Sequence, residues 1–132
     1  MSTPTVPLSV AIYENPTIKH WGLFIETEDD HFKATVHVVG ARQRYFATVR
    51  RPSDARNVIE ILPLCHIDAS KIETVERIAL GMHVRNEDAD YSCQDYVLDL
   101  LKVLEEQGII DSTDANYTAN KDAVIAKRES WP

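Results

Sequence analysis

The stretch from Tyr91 to Gly108 constrains this chain more than any other, because it reads as one amphipathic helix with a marked start and end. Cys93, Val97, Leu100, Leu101 and Leu104 recur at helical spacing, while Asp95, Asp99, Lys102 and Glu106 fall on the opposite face. Ser92 is a strong N-cap, and Asp95, three residues on, can return a hydrogen bond to its backbone. Gly108 suits the residue that stops a helix. Cys93 therefore opens the helix on its inward face. Free backbone N–H groups and the positive end of the helix dipole favour a thiolate there and can hold an oxyanion.

Such a stripe needs something to pack against, and the preceding half of the chain offers strands. Short apolar, β-branched segments at 8–13, 19–26, 33–39, 45–49 and 57–62 are separated by turn signals: Asn15-Pro16, the polar run 27–30, Gly40, and Arg50-Arg51-Pro52. Pro63 marks an edge strand or a strand end. Residues 1–7, rich in Pro, Ser and Thr, read as a loose arm. After residue 69 the pattern turns helical. Ser70 and Glu73 form a capping-box pair ahead of the stripe Ile72, Val75, Ile78, Ala79 and Met82. An acidic loop spans 86–90, a polar link 111–118, and a short helix 119–129, with Trp131 packing back. The expected fold is one α+β domain over residues 1–132, mainly strands over 8–66 and mainly helices over 69–132. Its sheet should be antiparallel, with barrel-like closure left open.

A thiol at a helix start needs a base, and two of the five histidines lie in strand-like segments, His20 and His37. In a hairpin turning near residues 28 and 29 they would face one another. Any register in which the paired numbers have an odd sum keeps both imidazoles on one face; an even sum separates them. Gly22, on the same face as His20, would leave room for a helix start to approach.

These residues also carry a resemblance. His20-Trp21-Gly22-Leu23-Phe24-Ile25, then His37 on the next strand, then Tyr91-Ser92-Cys93-Gln94-Asp95-Tyr96-Val97, resembles the circularly permuted NlpC-type papain-like fold of the lecithin–retinol acyltransferase and small phospholipase/acyltransferase families. The likeness runs over roughly residues 18–104. It implies Cys93 as nucleophile, His20 as base and His37 as the group orienting His20. It also implies that Tyr91 lines the acyl site, and Gln94 and Trp21 join it as substrate-contacting candidates. The chain departs in having Ser92 for the usual Asn, Gln94-Asp95 for Glu-His, and no hydrophobic tail. The first two leave the substrate open; the last argues against a membrane-resident acyltransferase.

The rival thiol pair is Cys65-His66, but strand neighbours point to opposite faces, and Cys65 follows an apolar run that reads as core. His31 and His83 read as solvated. A zinc site from Cys93, His20 and His37 is chemically possible, but no close ligand pair such as Cys-x-x-Cys occurs, so no metal is expected, and no cofactor is expected either. Two cysteines do not make a disulfide scaffold, which points to free thiols in a reducing, cytoplasmic setting. The net charge of −7 disfavours nucleic acid and anionic membrane as partners. No apolar run reaches the length of a membrane span, and no signal-like segment opens the sequence. Glu87, Asp88, Asp90 and Asp95 near Cys93 either complement the helix dipole or recruit a cationic substrate. The basic cluster Arg42, Arg44, Arg50 and Arg51 reads as surface, or as a holder for an anionic group.

The sequence thus points to a soluble thiol hydrolase or acyltransferase acting on an ester, thioester or amide of a small molecule or peptide. A non-catalytic binding domain, or a cyclase or isomerase using the same cleft, are its rivals.

Overall fold

A computed structural model describes residues 4–27, 33–51 and 56–132. The turn 28–30, His31, Pro52 and residues 1–3 of the arm lie outside the described residues. Five strands, β1 (Thr5–Tyr13), β2 (His20–Ile25), β3 (Ala34–Val39), β4 (Phe46–Arg50) and β5 (Val58–Asp68), precede three helices, α1 (Ile72–Gly81), α2 (Cys93–Glu106) and α3 (Ala115–Ile125). The strands form one antiparallel sheet in the order β4-β3-β2-β1-β5. The fold is α+β. The sheet stays open, with β4 and β5 at its edges.

Alternation along the strands decides which face the helices cover. Leu8, Val10, Ile12, Trp21, Leu23, Ile25, Val36 and Val38 point one way and are buried with the α2 stripe of Cys93, Val97, Leu100, Leu101 and Leu104. α1 adds Val75 and Ala79, and α3 adds Tyr117 and Val124.

α2 begins and ends where its residues dictate. Ser92 accepts from the Gln94 N–H at 3.2 Å, and Asp95 accepts from the Ser92 N–H at 3.0 Å, closing the capping box. Gly108, at φ +74°, takes the left-handed conformation just past the helix.

Three boundaries differ from the sequence expectation, each through long-range pairing. Residues 5–7 are strand rather than loose arm, because Thr5, Val6 and Pro7 pair with Asp68, Ile67 and His66. β5 runs on past Pro63, since a register shift opposite Leu8 and Ser9 absorbs the extra residue there. α3 starts at Ala115 rather than 119, because Asp114 caps it by accepting from the N–H groups of Asn116 and Tyr117. Likewise Ser70 is no cap. Asp68 accepts its N–H instead, starting a 3-10 turn, Ala69–Lys71, that leads into α1.

Candidate active site

Pairing of Leu23 with Val36 fixes the β2–β3 register. Continued along the strands it sets Gly22, not His20, opposite His37, so the histidines share a face but meet diagonally. His20 Nε2 and His37 Nδ1 are 2.8 Å apart, with the rings edge-on at 5.0 Å between centroids. Gly22 makes this possible. A Cβ there would collide with Thr35 Cγ2 and lie 3.6 Å from His37 Cβ. The space at Gly22 thus serves the imidazole pair rather than a helix start, because this face turns away from the α2 core. Tyr13 packs its ring 5.6 Å from that of His20 and shares a 3.3 Å hydrogen bond with Thr35 Oγ1.

Burial lowers the pKa of His20. It lowers His37 further, from its ordinary 6.5 to about 4, aided by the charges of His20 and Arg50. The pair is therefore neutral at neutral pH, and one imidazole donates to the other.

Cys93 and His20 line one cleft of about 450 Å³ at the end of β2 and β3, together with Ile18, Val38, Tyr45 and Trp131. His20 also lines a second cleft of about 260 Å³ with Tyr13, Thr35 and His37, so it forms the wall between the two. Among the described residues no hydrogen bond joins Cys93 to His20; the thiol donates to the Lys19 carbonyl at 3.7 Å. Cys93 is 5% exposed. Burial pushes its thiol up to about 11, over the opposing pull of the N–H groups of Trp21, Gln94 and Cys93 itself. Asp95 raises it a little more, and no imidazolium lowers it. The resting thiol is thus protonated, whereas the helix start and a charged His partner alone would favour thiolate.

The other candidates lie outside this cleft. Trp21 is wholly buried in the core. Tyr91 is buried between the Arg85 guanidinium, 4.7 Å over its ring, and Tyr45. Gln94 is buried and spent on structure: its Nε2 donates to the Lys19 carbonyl at 2.9 Å, and its Oε1 accepts from the Glu129 N–H at 2.7 Å. None of these three residues lines the cleft beside Cys93. Tyr45, Val38 and Trp131 do. Strand parity puts Val38 on the helix-covered face; nothing local marks Trp131 as a cleft residue.

The acidic loop is mostly paired. Glu87 meets His83 at 2.8 Å, Asp88 meets Arg85 at 3.3 Å, and Asp95 is forked by Arg128 at 2.6 and 3.2 Å. Arg42 donates to the Ala89 carbonyl, and Arg51 pairs with Glu76. Cys65 and exposed His66 line a separate cleft against α3, with no hydrogen bond between them among the described residues. Burial, with the Asp114 charge, pushes that thiol up to about 11 as well.

The model of a family of unknown function, DUF6540, matches residues 8–111. The chain belongs to this family. The DUF6540 span runs from within β1 past the end of α2 and includes Cys93, His20 and His37; α3 and Trp131 follow it. No curated protein and no solved structure matches the chain.

Proposed function

We propose that the chain is a thiol-dependent acyl-transfer enzyme of the permuted papain-like type, with Cys93 as nucleophile, His20 as base and His37 orienting His20. The observation that carries this reading is the 2.8 Å imidazole pair beside a cleft that also holds a helix-opening thiol. With His20 Nε2–H donated to His37 Nδ1, the Nδ1 of His20 stays unprotonated, the tautomer a base needs. For reaction the Sγ–H must turn from the Lys19 carbonyl toward that nitrogen across the shared cleft and give up its proton there. Sulfur then bonds to the substrate carbonyl carbon, and the Cys93 N–H steadies the oxyanion. The leaving group departs with the proton, and water, an alcohol or an amine then takes the acyl group. The substrate is a small molecule or peptide rather than nucleic acid or a membrane surface, in keeping with the charge of −7. The free thiols of Cys65 and Cys93 suit a cytoplasmic setting. Among the described residues no helix is long and apolar enough to cross a membrane.

The protonated, buried thiol favours a second reading, a ligand-binding domain in which Cys93 is core. Incubation with p-nitrophenyl acetate separates the two. An acetyl adduct on Cys93 that is absent in His20→Ala supports the enzyme. Acetylation of Cys65 alone, or equal adduct in His20→Ala and the parent, removes it.

A further inference from the structure

Beyond α3 the chain doubles back across the thiol. Arg128 forks onto Asp95, and the Glu129 carboxylate accepts from the Lys19 N–H at 2.9 Å and from Gln94 Nε2 at 3.2 Å. Trp131 donates its indole N–H to the Tyr91 carbonyl at 3.2 Å, with the Arg42 guanidinium 4.7 Å from its ring centroid. These anchors sit on both banks of Cys93: Tyr91, Gln94 and Asp95 on the helix side, Lys19 and Arg42 on the sheet side. Trp131 itself forms part of the cleft wall beside the sulfur.

The strap is held by polar contacts from the partly exposed Arg128 and Glu129 side chains, with no apolar stripe of its own, whereas α2 beneath it is held by its buried stripe. Segments tied down in that way open locally at far lower cost than the fold unfolds. Opening is required for chemistry, because a carbonyl must come within roughly 3–3.5 Å of a sulfur that is only 5% exposed.

We infer that residues 128–131 are a gate over the Cys93 cleft, and that Trp131 sets the size of the acyl group admitted. This rests on the acyl-transfer reading. Once an acyl group has entered and the gate has closed again, Ile18, Val38, Val39, Tyr45 and Trp131 form the apolar part of a cleft that Asn15, Thr17 and Arg42 line as well, which suits a compact acyl group. With it lifted, water reaches the sulfur, and the free N–H groups at the start of α2 act on a hydrated thiol.

Alkylation of the full chain, followed by mass spectrometry at each thiol, tests the gate. Cys65, in its separate cleft, serves as reference within the same molecule. Arg128→Gln raises the Cys93 rate with iodoacetamide about tenfold or more, since both charge-assisted hydrogen bonds to Asp95 are lost, and leaves Cys65 unchanged. Trp131→Ala raises the rate more with bulky N-phenylmaleimide than with iodoacetamide, and Trp131→Phe keeps the parent's preference between reagents. An unchanged Cys93 rate, or a Cys65 rate rising in step, overturns the gate. Equal discrimination in Trp131→Ala and the parent overturns the role of the indole. These rates report access to sulfur whether or not any ester is turned over, so failure of the gate and failure of the acyl-transfer reading are told apart.

Discussion

The two faces of the sheet are built from the same strands and solve burial in opposite ways. On the helix-covered face, Leu8, Val10, Trp21, Leu23, Ile25, Val36 and Val38 fill space with apolar volume. On the other, Ser9, Thr35 and His37 are buried as well, yet they are small or polar, and Thr35 and His37 are paired to Tyr13 and His20. The first face is stabilised by transfer from water and dense packing. The second is tolerated because its polar groups satisfy one another. The difference predicts how each face responds to change.

The largest effect belongs to the packed face. Trp21→Ala leaves a large void beneath α2 and should cost about 3–5 kcal/mol, read as a lower urea midpoint. A loss below that of Tyr13→Phe would erase the distinction between the faces.

Next comes acid sensitivity, to which the polar face contributes through His37. His37 binds its proton at about 4 in the fold and at its ordinary 6.5 when unfolded. The unfolded chain therefore takes up the proton first as pH falls. Stability from this group is complete above 6.5, and is lost as pH drops from there toward 4. The loss is roughly 3 kcal/mol at most. Urea midpoints measured across that window should fall steeply for the parent and more gently for His37→Asn; parallel curves would contradict a buried neutral His37.

Gly22→Ala comes third, at about 1–3 kcal/mol, because the new methyl must displace Thr35. Its sharper consequence is on the histidines. Imidazole nitrogen shifts in an NMR titration should move toward those of unpaired rings, whereas a variant that only loosens packing would leave them alone.

The smallest effect is Tyr13→Phe, which removes the 3.3 Å bond to Thr35 and should cost about 1 kcal/mol or less in thermal unfolding. A cost matching Trp21→Ala would mean that the polar face is held as tightly as the core.

Much of this was readable along the chain because its causes are local. Ser92, Asp95 and Gly108 set the limits of α2, since capping is a matter of neighbours within one turn. That His20 and His37 share a face followed from strand parity, whatever the exact register. An antiparallel sheet followed by helices was likewise implied by the change of period near residue 69, whereas only the strand pairing showed that the sheet stays open.

What only the tertiary structure decided depends on residues far apart in sequence. The shift that makes His20 reach across Gly22 is set by pairing along the whole of β2 and β3. The strand character of residues 5–7, and of β5 beyond Pro63, exists because each supplies the other's hydrogen bonds. Trp21, Tyr91 and Gln94 sit in the motifs that suggested a site, yet burial and long-range bonds to Arg85, Lys19 and Glu129 turn them to structure. Tyr45 and Trp131 enter the cleft because separate segments converge there. The protonation of Cys93 was beyond sequence for the same reason. Helix start and acidic neighbours are local, but desolvation, the largest influence on the thiol, comes from everything packed around it.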